Sequence, residues 1–194
     1  MKIVLINGPK RSGKSTFAKL LYLHVRCEDD IIGFSYHLKR FVHGIYLGQK
    51  GFKLDPDVFD ATKEDPQELL GGRSWRQMYI HYSENVIKPL HGKEWFGEQF
   101  IRSAVETGAD AIYVPDSGSR EEAEAVVRHF GAKNVLLIRI HRDGCVYDST
   151  DSRGYIHLAD LGVAECDIQN SDSDMTVLRE KTSIVQNWIG DQTQ

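Results

Sequence analysis

The residues best suited to chemistry lie near the amino terminus, where Gly8-Pro9-Lys10-Arg11-Ser12-Gly13-Lys14-Ser15 keep the spacing GxxxxGK[ST]. Gly8 and Gly13 allow backbone conformations and close approaches that a β-carbon would obstruct, so successive amides, those of Ser12 and Lys14 among them, can turn inward around a phosphate. If a helix opens at this point, its N-terminus adds partial positive charge. Lys14 then reaches the β- and γ-phosphates as a mobile point charge, and the Ser15 hydroxyl is placed to ligate Mg²⁺, with Thr16 as a weaker neighbour. Such a loop suits a nucleotide triphosphate with Mg²⁺, ATP by default. Arg11 reads equally as a cation leaning over the transferred phosphoryl group or as a solvated loop charge.

The surrounding pattern must supply a strand before this loop and a helix after it. Ile3 to Ile6 form an unbroken apolar run, as in a strand buried on both faces. From Gly13 the apolar positions Phe17, Leu20, Leu21 and Val25 recur at helical spacing, predicting a first helix that reaches Arg26. Ile31 to Phe34 predicts a short strand, and Ser35 an N-cap for a helix carrying Leu38, Phe41, Val42 and Ile45, stopped by Gly48. Residues 49–72, with Pro56, Pro66 and paired glycines, read as a long ordered excursion. Helices are predicted from Trp75 to about Ile87, ended near Pro89, and from about Glu94 to Glu106, ended by Gly108. Strand Ala111–Val114, helix Arg120–Phe130, strand Val135–Ile140, short strand Cys166–Ile168 and helix Met175–Ile189 complete the chain. Residues 142–165 have few periodic apolar positions and predict a mobile lid with one helical turn.

Apolar strands alternating with helices predict an α/β fold with a parallel sheet covered on both faces and ligands outside the carboxyl ends of the strands. Asp116 falls at such an end. It reads either as a carboxylate that orders Mg²⁺ waters or accepts a proton, or as the N-cap of the helix beginning near Arg120. The 194 residues are expected to form a single domain, and a formal net charge of −4 advertises no polyanion-binding surface. Cys27, Cys145 and Cys166 are too scattered for a disulfide framework or a zinc site and read as reduced thiols. No apolar run approaches the roughly 18 to 20 residues that span a bilayer, and the opening apolar run is too short for a signal peptide. A soluble protein of the cytoplasm, with no membrane partner, is the expectation.

Beyond the phosphate loop, Ser35-Tyr36-His37-Leu38-Lys39, Lys63-Glu64, Ser74-Trp75-Arg76-Gln77, Trp95 with its helix, and Val114-Pro115-Asp116 leading into Glu121-Glu122-Ala123-Glu124 make the chain resemble the phage-type deoxynucleoside monophosphate kinases of the P-loop kinase superfamily. Ile138-Arg139-Ile140-His141-Arg142 and Asp167 to Ser171 echo that family's later strands. The resemblance implies a P-loop NTPase-like three-layer sandwich with a helical acceptor-binding insertion at about 35–107 and a lid at about 142–165. It implies transfer of the ATP γ-phosphoryl group to a deoxynucleotide 5′-phosphate, in the cytoplasm of the host if the chain is phage-encoded. By the same likeness Lys39 and Arg76 hold the acceptor phosphate, Trp75 and Tyr79 flank a base, Asn170 belongs to an adenine-side turn, and Arg142 closes on the phosphates, with Arg139 or Arg153 as substitutes.

Two departures matter. Gly118 stands where the family commonly carries an arginine two positions after the strand-end aspartate, and Ser83-Glu84 replaces a Gly-Thr pair. Loss of a cation weakens the expectation of a doubly charged acceptor. The alternatives are phosphorylation of hydroxymethyluracil in phage DNA, with Asp116 as base and Lys39, Arg40, Lys50, Lys53 and Arg73 as a basic face, and an ATP-binding switch or scaffold without an acceptor. Oligomeric state is open, a homodimer included.

Overall fold

A strand without a polar side must be covered on both faces. The computed structural model describes residues 1–24, 29–147, 153–171 and 175–190. It places β1 (Lys2–Asn7) at the centre of a five-stranded sheet of order β2-β3-β1-β4-β5. The other strands are β2 (Asp30–Ile31), β3 (Ala111–Val114), β4 (Val135–His141) and β5 (Ala164–Gln169), and every pairing is parallel. Ile3 lies beside Ile112 on one flank and Val135 on the other.

The two-residue period of β1 sorts its side chains onto opposite faces. Ile3 and Leu5 join Ile112, Val114 and Leu137 under a layer that includes α2 (Tyr36–Leu47), α4 (Trp75–Tyr82), α6 (Trp95–Thr107) and α7 (Arg120–Phe130), while α3 (Gln49–Lys53) packs on α2. Val4 and Ile6 join Tyr113, Ile138 and Ile168 beneath α1 (Lys14–His24) and α8 (Thr176–Gly190) through Phe17, Leu21, Leu178 and Val185. The molecule is thus an α/β domain with an all-parallel sheet flanked by helices. Because β3 and β4 both border β1, a crevice opens beyond the carboxyl ends of β1 and β3, where ligands of such sheets bind.

Several boundaries differ from those predicted. β2 is only Asp30–Ile31, because the amides of Phe34 and Ser35 turn away to a carboxylate instead of extending a ladder. The helix from Trp75 does not stop near Pro89. It passes through a π-helical turn, Ser83–Ile87, into α5 (Lys88–His91), where the Lys88 amide bonds the Ser83 carbonyl. The wider turn carries the chain past a ring that would otherwise meet the carbonyl four residues back. Residues 142–147 and 153–165 do not stand off as a loose flap: Ile156, Leu158 and Val163 enter the core, with a 3₁₀ turn at Ala159–Leu161. Residues 148–152 of the expected lid, and the expected helical end at Val25 and Arg26, fall outside the described residues, as does Cys27. Cys145 and Cys166 are free thiols. No helix among the described residues is long and apolar enough to cross a membrane.

Candidate active site

The loop between β1 and α1 forms one wall of a cleft of about 1090 Å³ that runs from Lys14 and Ser15, past Asp116 and Arg153, to Ser83 and Lys88. Close packing fixes the loop. A β-carbon on Gly8 would lie 2.5 Å from the Ile140 carbonyl oxygen, and one on Gly13 would lie 2.7 Å from Asn170 Nδ2; both glycines hold positive φ, 151° and 110°. Arg11 also takes a left-handed conformation, φ 65°, which folds the loop into a concavity. Asn170, buried, donates from Nδ2 to the Ser12 carbonyl at 2.7 Å and so braces the loop.

Lys14 arches over this loop and donates to the Gly8 and Pro9 carbonyls, both at 2.7 Å. Burial, reinforced by the Arg153 charge and opposed by Asp116, pulls its pKa down to about 8. Ser15 lines the same cleft at the start of α1. The first-turn amides of a helix have no intrahelical acceptor. Together with the two glycines and the Lys14 ammonium they fit a polyphosphate, and the Ser15 hydroxyl and Asp116 carboxylate are hard oxygen donors suited to Mg²⁺. No cluster of three or more His, Cys, Asp or Glu side chains able to hold a metal by themselves occurs among the described residues.

Asp116 is not the N-cap of the helix that follows it; that position is Ser119. Its carboxylate instead accepts from the Phe34 amide at 2.7 Å, the Ser35 amide at 2.9 Å and the Ser35 hydroxyl at 2.5 Å, at the entrance to α2. Three of roughly four lone-pair positions are thereby used, which locks the group and leaves one direction open.

Asn7 ends β1 with no exposed surface and is the junction of the site. The two hydrogens of its Nδ2 are shared among the Ser117 carbonyl at 2.7 Å, the Gly154 carbonyl at 2.9 Å and the Tyr147 hydroxyl at 3.0 Å, and its Oδ1 accepts from the Ile156 amide at 3.3 Å. The Gly8 amide donates to the same Tyr147 oxygen at 3.1 Å, and burial pushes that phenol up to about 12. These bonds bring Arg153 across Gly118, where a β-carbon would lie 2.8 Å from Arg153 Cδ. The position lacking a cation in sequence is therefore covered by one contributed from the far side of the 142–165 segment.

The opposite wall carries Lys39, Arg76 and Tyr79. Lys39 bonds Asp57 at 2.5 Å and Asp60 at 3.0 Å, and these carboxylates hold its pKa above the ordinary lysine value despite burial. Glu64 joins Lys10 of the loop at 2.7 Å to Arg76 at 3.7 Å, and charge pairing keeps its carboxyl below the usual range. Tyr79 lines this wall with its hydroxyl 2.6 Å from His43 Nε2. Trp75 does not reach the cleft. It is 2% exposed and stacked on Phe59, ring centroids 4.7 Å apart, because the capping box of Ser74 and Gln77 turns the first residue of α4 inward.

Of Arg142 and its two expected substitutes, Arg142 donates to the Arg11 carbonyl at 3.3 Å. Arg139 lies away from it, 7% exposed and bonded to Asp167 and Glu165 on β5. Arg153 alone of the three lines the cleft. Sequence reasoning missed Asn7, Tyr147, Glu64 and Glu122. The first and last had a local signal, a polar residue closing a wholly apolar strand and a glutamate at the third position of a helix. The chain matches no protein-family model and no curated protein, so its function has to be argued from the cleft itself.

Proposed function

We propose that the protein is a kinase that passes the γ-phosphoryl group of ATP to a deoxynucleoside 5′-monophosphate. The observation that carries this reading is a single cleft holding a GxxxxGKS loop with its lysine at one end, a fixed carboxylate and Arg153 in the middle, and a lysine–arginine wall at the other. That order matches in-line transfer, in which the protein positions two charged groups and neutralises the charge shared between them.

In this reading the loop amides and Lys14 bind the donor's β- and γ-phosphates. Mg²⁺, held by Ser15 and by Asp116 directly or through water, supplies further neutralisation when bound. Arg153 faces the same space as Lys14 and supplies the cation that Gly118 lacks. Arg76 and Lys39 orient the acceptor phosphate, exchanging contacts with Glu64, Asp57 and Asp60 for contacts with its oxygens. Tyr147 and the 153–156 segment cover the loop and limit water, the competing acceptor. Of the residues that a basic face for DNA would use, Lys39 is already paired with two carboxylates, and Asp55, Asp57 and Asp60 line the same stretch, which favours the nucleotide reading.

Labelled ATP with Mg²⁺, offered each deoxynucleoside monophosphate, duplex DNA containing hydroxymethyluracil, or no acceptor, tests the proposal. Label is expected in a nucleoside diphosphate. Label in DNA, or ATP binding without transfer, overturns it in favour of a DNA-base kinase or a nucleotide-binding switch respectively. Asp116→Asn sharpens the result, because a phosphate acceptor is already ionised and needs no base: the expected loss is about tenfold, whereas a hydroxyl acceptor would lose roughly a hundredfold or more.

A further inference from the structure

Glu122 is the one strongly buried carboxyl of the cleft that the steps above leave unused. It is 8% exposed, sits in the first turn of α7 and forms part of the cleft wall. The spacing Ser119-x-x-Glu122 is that of a capping box, yet Ser119 makes no side-chain capping bond and its hydroxyl goes to Glu121 instead. Glu122 makes no side-chain hydrogen bond among the described residues. The nearest cation on the acceptor wall, Lys88, is held by Glu84 at 2.6 Å. A buried carboxyl diverted from its local role, aimed into a cavity and left without a partner, is waiting for a ligand.

Its surroundings show which part of a ligand. Phe34, Phe96 and Tyr79 line this stretch of the cleft, and the π-helical turn brings Ser83 and Glu84 to it. A phosphate does not belong against a carboxyl set among aromatic side chains; a heterocycle with hydrogen-bonding edges does. We propose that Glu122 reads the base of the acceptor nucleotide through two parallel hydrogen bonds, donating one from its carboxyl O–H and accepting the other, at an edge that sets an acceptor beside a donor; ionising the carboxyl then penalises thymine, cytosine and adenine, whereas guanine, which offers O6 beside N1–H and N1–H beside its N2 amino group, is held in either state. The inference rests on the kinase reading and specifies the substrate of that same site.

The electrostatics support it. Burial pushes the Glu122 carboxyl up to about 8; Lys88 and Arg153 oppose the rise, while Asp116 and Glu121 add to it. The group is accordingly protonated at neutral pH and can donate. An ionised carboxylate has two acceptors side by side, which suits the N1–H and N2 amino group of guanine and repels O4 of thymine or N3 of cytosine.

The test is equilibrium binding of dTMP, dCMP, dAMP and dGMP to the intact protein from about pH 6 to about pH 9. Affinities are read as ratios to dGMP, because ionisation of the phosphate and of Lys14 acts on all four alike. On crossing the Glu122 pKa the ratios are expected to move toward guanine by roughly tenfold. In Glu122→Gln, whose amide always donates and accepts, they should stay flat near the low-pH values. Ratios that do not move in the wild type overturn the proposal whether or not the variant folds, and so does an equal movement in Glu122→Gln. Nucleotides that bind with flat ratios refute the reader alone; Mg·ATP binding with no monophosphate bound removes the acceptor reading and this proposal together.

Discussion

The two ends of the cleft are built on different principles. At the loop end, one strand, one turn and one helix supply the site, and its binding groups are backbone amides shaped by Gly8, Gly13 and a left-handed Arg11. At the opposite end the binding groups are side chains gathered from α2, the 57–64 turns, α4, the π-helical turn and α7. The first arrangement is dictated by chain geometry and exists before any ligand. The second is held by ion pairs, Lys39 with Asp57 and Asp60, Arg76 with Glu64 and Lys88 with Glu84, so its cations are already satisfied and must be recruited. One end is a mould, the other a set of exchangeable contacts.

Lys14→Ala is the variant expected to have the largest effect, because the Lys14 ammonium is the charge that arches over the mould. Transfer from ATP should fall by roughly a hundred- to a thousandfold with the fold retained, measured by turnover and circular dichroism. If turnover persists, the loop is an ordinary glycine-rich turn and the comparison has no functional content. Lys14 also carries a pH signature. Its native pKa, about 8, lies below the ordinary 10.5, so the unfolded chain binds more protons between those values and stability rises with pH across that window. Triphosphate affinity should fall over the same interval as the ammonium discharges, and Lys14→Ala should remove the stability rise.

Asn7→Ala asks whether the mould depends on distant segments. Truncation removes the hydrogen bonds of both Asn7 amide atoms and strands the Ser117 carbonyl in a buried setting, at a cost of roughly 2–3 kcal/mol in urea unfolding. Hydrogen exchange at the Gly154 and Ile156 amides should accelerate before that at β1. Unchanged stability would mean that the loop end stands on backbone alone, a sharper division between the two ends than the hydrogen bonds imply.

The same division explains what could be read from sequence. The strand–loop–helix at 1–24 was legible because its determinants are contiguous: an apolar run, two glycines at fixed offsets and a 3.6-residue period. Helix Arg120–Phe130 was legible for the same reason, down to its termini. Arg153 over Gly118 was not, because 35 positions separate two residues whose meeting depends on Asn7 and Gly154. Trp75 misled because spacing placed it on the same helix face as Tyr79, whereas the entry angle set by the capping box turned it into the aromatic core. Asp116 was placed correctly at a strand end, but its three donors come from around position 35, and no periodicity links those segments.

Glu64→Gln should have the smallest effect and tests the exchange principle directly. Glu64 reaches Lys10 from the mould and Arg76 from the wall, so it is the only ion-pairing residue among the described ones that ties the two ends across the cleft. The Lys10 and Glu64 side chains are 45% and 42% exposed, a setting in which such pairs contribute little, and stability should change by less than about 1 kcal/mol. If Glu64 competes with the acceptor phosphate for Arg76, its neutralisation should tighten monophosphate binding by roughly two- to fivefold, with ATP affinity nearly unchanged. If Glu64 instead holds Arg76 in the orientation the acceptor needs, binding should weaken by a similar factor. That outcome would make the wall preorganised like the loop and abolish the distinction between mould and exchange.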